Sequence, residues 1–355
     1  MKKSLILLPL AALLLTGCGD SEEKFEPLDN NIPSGGKEVD VEKEDEKNDL
    51  INKLAGNLKI SYDALKTGVS LETVYNLKEL SVVDDETKFK ATDLGFTFKV
   101  TAAGLDKTIN EWQIAAEMKD FKGKVVVDEN KVFEASNINL GVYLDKGNLY
   151  VDLANANLVK LANEIADFAF PQAKSYIQLF AKKLKIENIF SLIGVSINEK
   201  LPELKDKDIE ELKTEMKAEF GEIKDFIKFF DYEENELAAL LTYGEDHETL
   251  SQKDSMHITG NFVFNKKGEF AKVYLTETID NFVKEDGKIV ESVKASMEEG
   301  VVATFGISEV SMPDFSSYEA FPIQMIMQLV GQAVSSLPIT PAVPLPEPIV
   351  QPVEE

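Results

Sequence analysis

Gly141-Val-Tyr-Leu-Asp-Lys-Gly-Asn-Leu-Tyr-Val-Asp-Leu153 holds two short strands around a turn and leads straight into a helical stretch, Asn155 to Phe170. Val142 and Leu144 continue an alternation begun at Ile138 and Leu140, with Asn137, Asn139 and Gly141 between them. That period of two marks a strand with one apolar face. Asp145-Lys146-Gly147-Asn148 supplies the turn, because glycine and its polar neighbour adopt the positive φ angles that tight hairpins need. An antiparallel hairpin feeding a helix predicts a sheet covered by helices.

The same alternation extends outward. Leu94, Phe96, Phe98, Val100 and Ala102 oppose Gly95, Thr97, Lys99 and Thr101. Trp112, Ile114, Ala116 and Met118 oppose Glu111, Gln113, Glu117 and Lys119. Farther on, Ala271, Val273, Leu275 and Ile279 form one face of a strand, and Ile289, Val293, Ala295 and Met297 one face of another. Asn265-Lys266-Lys267-Gly268 and Asp286-Gly287 read as hairpin turns. No proline falls between Ala55 and Leu153 or between Met256 and Ser311, as continuous ladder pairing requires.

Four stretches carry helical spacing. Ile51, Leu54, Leu58, Tyr62 and Leu65 make the first stripe, and Leu158, Leu161, Ile165 and Phe168 the second. After Pro171 the second resumes through Ala173, Tyr176, Ile177, Phe180 and Leu184. The third runs Ile209, Leu212, Met216, Phe220, Ile223, Phe226, Ile227 and Phe230, with Asp208 and Glu211 placed as a capping box. Ile323, Ile326, Met327, Val330 and Val334, between Pro322 and Pro338, form the fourth. Runs of strands separated by runs of helices indicate α+β: a curved antiparallel sheet, half-barrel-like, with amphipathic helices packed on one face.

This order resembles the half-barrel lipoproteins, the group containing the periplasmic lipoprotein carrier and mycobacterial lipid-binding lipoproteins. The hairpin at 141–153, the helix after it and a closing strand ending Met312-Pro-Asp-Phe-Ser-Ser-Tyr318 carry the resemblance. It implies one domain over 49–336, with a helical stretch near 155–250, and a groove for a lipid or another hydrophobic small molecule. Trp112, Phe220, Phe226, Phe230 and Ala295 are the candidate ligand-binding residues. The alternative is a structural or interaction lipoprotein with a filled core that meets another envelope protein, since inward residues look alike in both cases.

The N-terminus carries an address. Met1-Lys2-Lys3 precedes the apolar run Leu5 to Leu15, too short to span a bilayer. Leu15-Thr16-Gly17-Cys18 follows and resembles the lipobox of bacterial lipoproteins, with Cys18 the only cysteine in the chain. The resemblance implies removal of 1–17, diacylglyceryl transfer to the Cys18 thiol, and anchoring by acyl chains on the extracytoplasmic side of a bacterial membrane, inner or outer. Residues 18–48 read as an acidic tether without periodic apolar residues, and 337–355, with six of the thirteen prolines, as a disordered tail.

Chemistry is sparse. All 38 basic residues are lysine against 63 acids, giving a net charge of -25 that excludes a nucleic-acid partner. One cysteine excludes an internal disulfide. There is no Gly-x-Ser-x-Gly elbow, phosphate loop, zinc spacing or calcium loop, so no cofactor, metal or catalytic residue is expected and the chain reads as a non-enzyme. His247 sits among Asp246, Glu245 and Glu248, and His257 has no obvious partner. Acid pairs such as Glu298-Glu299 carry no diagnostic value in so acidic a chain.

Overall fold

The computed structural model describes residues 32–84, 88–171, 174, 177, 181–192, 194–196 and 198–321, with backbone alone at 221–223. Cys18, the signal, the Pro-rich tail and the fourth helical stripe lie outside the described residues. The chain divides into two compact units, Met1–Glu319 and Ala320–Glu355.

The fold is α+β, with a curved, open, half-barrel-like sheet of 13 strands and helices on one face. Its strands are β1 (Lys37–Glu38), β2 (Gly68–Val83), β3 (Lys88–Ala103), β4 (Gln113–Val127), β5 (Lys131–Asp145), β6 (Asn148–Asp152), β7 (Lys183–Ile186), β8 (Ile227–Asp231), β9 (Leu237–Glu248), β10 (Gln252–Phe264), β11 (Phe270–Glu285), β12 (Lys288–Phe305) and β13 (Glu319–Ala320). They lie in the order β1-β8-β9-β10-β11-β12-β2-β3-β4-β5-β6-β7-β13. Two meanders, β2 to β6 and β8 to β12, thus become one sheet by pairing β12 with β2, from Phe305 opposite Val69 to Ser292 opposite Val83. Each register described is antiparallel, as the alternation predicts. Lys146 (φ 49°) with Gly147 (φ 74°) and Asp286 (φ 49°) with Gly287 (φ 78°) form two of the three expected turns, and Gly268 (φ 83°), whose N donates to the Asn265 carbonyl at 2.8 Å, closes the third.

The helices are α1 (Glu44–Thr67), α2 (Ala156–Ala169), the single turn α3 (Ile189–Leu192) and α4 (Asp206–Ile223). Leu50, Ile51, Leu54 and Ala55 bury one stripe of α1. Asn57 and Ser61 extend that stripe as polar residues and are also buried. Asn57 Nδ2 donates to the Asn235 carbonyl at 2.8 Å, and Ser61 Oγ accepts from Phe270 N at 2.8 Å, which ties the helix to the start of β11 without an unmet polar group.

Several expected boundaries move. The acidic tether ends sooner than residue 48: Lys37 and Glu38 pair with Asp231 and Phe230 of β8, and α1 begins at Glu44. Acids in its first turn, Glu44, Asp45 and Glu46, complement the positive helix end. Leu184 is a strand residue in β7, paired with Val151. The third helix stops at Ile223, and its expected last turn is β8 instead. Phe226 falls in the turn after α4, whereas Phe230 pairs with Ala238 of β9 as a strand residue. Asp208 caps α4 from the third helical position, its carboxylate accepting from Lys205 N at 2.9 Å, one turn earlier than a box with Glu211. The expected closing strand before Tyr318 is a 3-10 turn, Phe315–Ser317, capped by the Asp314 side chain. It stacks Phe315 on Tyr150, centroids 3.7 Å apart.

The acidic run gains a structural role. Glu46 accepts from Asp40 N at 3.1 Å and from the Lys37 and Lys43 ammonium groups, each at 3.3 Å. These bonds hold its carboxyl at about 2, below its ordinary 4.5. A carboxyl with a depressed folded pKa stabilises above the unfolded value and loses that contribution as pH falls through the folded one. Stability measured by urea unfolding should therefore decline through Glu46 as pH drops from about 4.5 to 2, and Glu46→Gln should flatten that part of the profile. An unchanged profile would show that this network does not order the N-terminal segment.

Candidate functional site

Where α1 and α4 cross the β8–β12 half of the sheet, packing leaves a cavity of about 450 Å³, a size typical of small-molecule sites. Leu54 and Leu58 come from α1, and Met216 and Phe220 from α4. Ile227 and Phe229 project from β8, Phe262 and Phe264 from β10, and Phe270, Val273 and Leu275 from β11. Phe220 stacks on Phe229 with centroids 5.4 Å apart, and Phe262 meets Phe229 edge-on at 6.1 Å. Phe264 bridges Phe262 and Phe270 at 6.2 and 6.0 Å.

Two carboxylates complete the lining. Glu219 on α4 is exposed, whereas Glu299 of β12 is half-buried. Glu299 stands opposite Leu275 on β11 and Tyr75 on β2, so all three side chains share one face. Among the described residues its carboxylate has no hydrogen-bond or ion-pair partner, in contrast to Glu298 beside it, which is ion-paired with Lys78. Burial in apolar surroundings pushes the Glu299 carboxyl up from its ordinary value. Burial, then the charges of Glu299 and Glu277, push the Tyr75 hydroxyl up as well. Beyond Glu299 the apolar face continues, as Tyr75 stacks on Phe96 at 5.2 Å and Phe96 reaches Phe121 at 6.3 Å.

Of the five candidate ligand-binding residues, only Phe220 lines this cavity. Phe229, not Phe230, points inward, because strand β8 alternates and sends Ile227 and Phe229 to one side. Phe226 is 40% exposed and meets Tyr243 edge-on at 5.1 Å. Trp112 lies one residue before β4 and packs beside Leu65, Val69 and Leu105 in a separate core cluster. Ala295 sits opposite Ile279 and Leu80, farther along β12 than the cavity. Glu299 was legible in principle. Met297, Glu299 and Val301 share a parity, and an acid on an apolar parity is a stronger signal than an acid pair.

The second histidine acquires a partner that the sequence did not show. His257 Nε2 lies 3.1 Å from Asp246 Oδ2, and Ser255 Oγ donates to Asp246 Oδ1 at 2.5 Å. The carboxylate thus stands between hydroxyl and imidazole, so Ser255 is not bonded to the group that would have to take its proton. Its pKa is lowered first by the Ser255 bond and then by the His257 bond. His247 is exposed on β9, opposite Asp254. Among the described residues, no three His, Cys, Asp or Glu side chains gather to hold a metal ion.

No family model and no curated protein matches this sequence. Among solved structures, the chain is similar to the crystal structure of LprF from Mycobacterium bovis, at 9% identity and a TM-score of 0.23 over 74% of this chain and 97% of that one. It is also similar to a beta-barrel-like protein of the domain of unknown function DUF1849 from Brucella abortus, at 12% identity and a TM-score of 0.14 over 66% of this chain and 98% of that one.

Proposed function

We propose that the chain is a membrane-anchored extracytoplasmic lipoprotein whose body is a non-catalytic binding module for an apolar small molecule. The observation that carries the binding half is the cavity of about 450 Å³ beneath α1 and α4, walled almost wholly by aliphatic and aromatic side chains. A filled core, the alternative, would have closed around Phe220 and Phe229 at interior density. The anchoring half rests on the apolar run Leu5 to Leu15 and the Leu15-Thr16-Gly17-Cys18 motif. No helix among the described residues is long and apolar enough to cross a membrane.

Titration with the neutral fluorophore N-phenyl-1-naphthylamine tests binding. Wild-type protein should bind it saturably. Leu275→Trp, which fills the cavity, should weaken it by about tenfold or more, because the added ring occupies the volume the probe needs. The cost in stability should stay below the ~1–3 kcal/mol of overpacking a solid core. Ala295→Trp, outside the cavity, should leave probe affinity unchanged. No saturable binding by wild type, with a full overpacking cost for Leu275→Trp, would replace the binding module with the structural reading.

A further inference from the structure

We infer that the occupant of this cavity is a single-chain amphiphile whose head is a protonated amine, its chain against the phenylalanine wall and its ammonium against the Glu299 carboxylate. This rests on the binding reading above and adds the chemistry of the ligand. Two features of the lining carry it. First, among the described residues the only polar side chains that line the cavity are acidic, Glu219 and Glu299, and no lysine does. A carboxylate or phosphate head would meet like charge in a poorly solvated space, whereas a cation is drawn in. Second, among the described residues Glu299 has apolar neighbours and no partner, although Glu298 beside it is ion-paired with Lys78.

A half-buried carboxylate without a partner is costly, and a ligand ammonium supplies the charge-assisted hydrogen bond that the protein withholds. The site is therefore incomplete until an amine arrives. Burial favours the protonated form of Glu299 in the empty site, and an ammonium placed beside it draws the group back to the carboxylate. Among the described residues, Glu219 on α4 lines the same cavity, Tyr75 on β2 stands opposite Glu299, and Glu277 on β11 acts on Tyr75. None of these is a cation that would compete with the amine for Glu299. Glu219, exposed on α4, places a second negative charge beside the cavity.

Displacement of N-phenyl-1-naphthylamine by dodecylamine, dodecanol and dodecanoate, each below its micelle-forming concentration, tests this. Dodecylamine should compete about tenfold or more better than dodecanol, and dodecanoate worse than either. Glu299→Gln should remove most of the amine's advantage over dodecanol, and a cooperative urea transition reports that the variant is folded. In wild-type protein the amine should gain affinity as pH rises from 4 to 8 and Glu299 ionises, while dodecanol should not. An amine preference that survives Glu299→Gln and fades in salt reflects the overall charge of -25 and overturns the inference. Equal competition by amine and alcohol overturns it too, with the binding module intact. Failure of all three to displace a bound probe overturns the inference with the binding module intact, whereas absence of saturable probe binding removes both readings.

Discussion

Gly68→Ala should destabilise the protein by about 3 kcal/mol or more, the largest loss expected from adding a single methyl group. Gly68 ends α1 and starts β2 with φ 125° and ψ 152°, a region essentially reserved for glycine. A Cβ built there would lie 1.9 Å from the Ile307 carbonyl oxygen and 2.9 Å from that of Ala102, and both obstacles are backbone. The position is held from both sides. Gly68 N donates to the Leu65 carbonyl, and the Gly68 carbonyl accepts from Gly306 N at 2.9 Å and Ile307 N at 3.3 Å. Relief would therefore require moving the helix end or the close of β12, the strand that joins the two meanders. Gly56→Ala is the control, since a Cβ there meets nothing within 4 Å, and in mid-helix it should stabilise by roughly 0.5–1 kcal/mol. Urea midpoints of the two variants should move in opposite directions. A shift of less than about 1 kcal/mol for Gly68→Ala would mean that the junction relaxes and that β12 is not pinned there.

Cys18→Ala should move the protein from the membrane to the soluble fraction, or leave an uncleaved precursor. Acyl chains contribute about 0.8 kcal/mol for each buried methylene, so two chains anchor stably where one is marginal, and removal of the thiol removes both. With the side-chain balance of 38 lysines against 63 acids, the body has no general attraction to an anionic membrane surface that could replace the anchor. Fractionation together with metabolic labelling by a radioactive fatty acid reads the outcome. Cleaved, unlabelled protein that still pellets with membranes would make a protein partner the tether and discard the lipid anchor.

The sequence by itself determined what depends on a few neighbouring residues. Lys146-Gly147 and Asp286-Gly287 dictate their hairpin turns because positive φ is a property of those residues. Strand faces such as Leu94 to Ala102 follow from a strict period of two, and the stripe Ile51, Leu54, Leu58 from a helical one. The antiparallel α+β character was legible on those grounds. Only the tertiary structure decided which strands become neighbours: no local signal marks β12 as the partner of β2, because that pairing joins residues more than two hundred positions apart.

The cavity was not legible in the sequence for the same reason. Phe226 and Phe230 continue the helical stripe of α4, but the pairing of β8 with β9 makes 227–231 a strand and turns Phe229 inward instead. Trp112 and Ala295 lie on apolar strand patterns, but a pattern states that a face is buried, not whether a neighbour or an empty volume lies against it. That volume exists where α1 and α4 meet the sheet, so it depends on the packing of distant segments rather than on any one of them. Glu299 shows the division within one residue. Its parity with Met297 and Val301 was written in the chain, while its lack of a partner inside an apolar cavity came only with the fold.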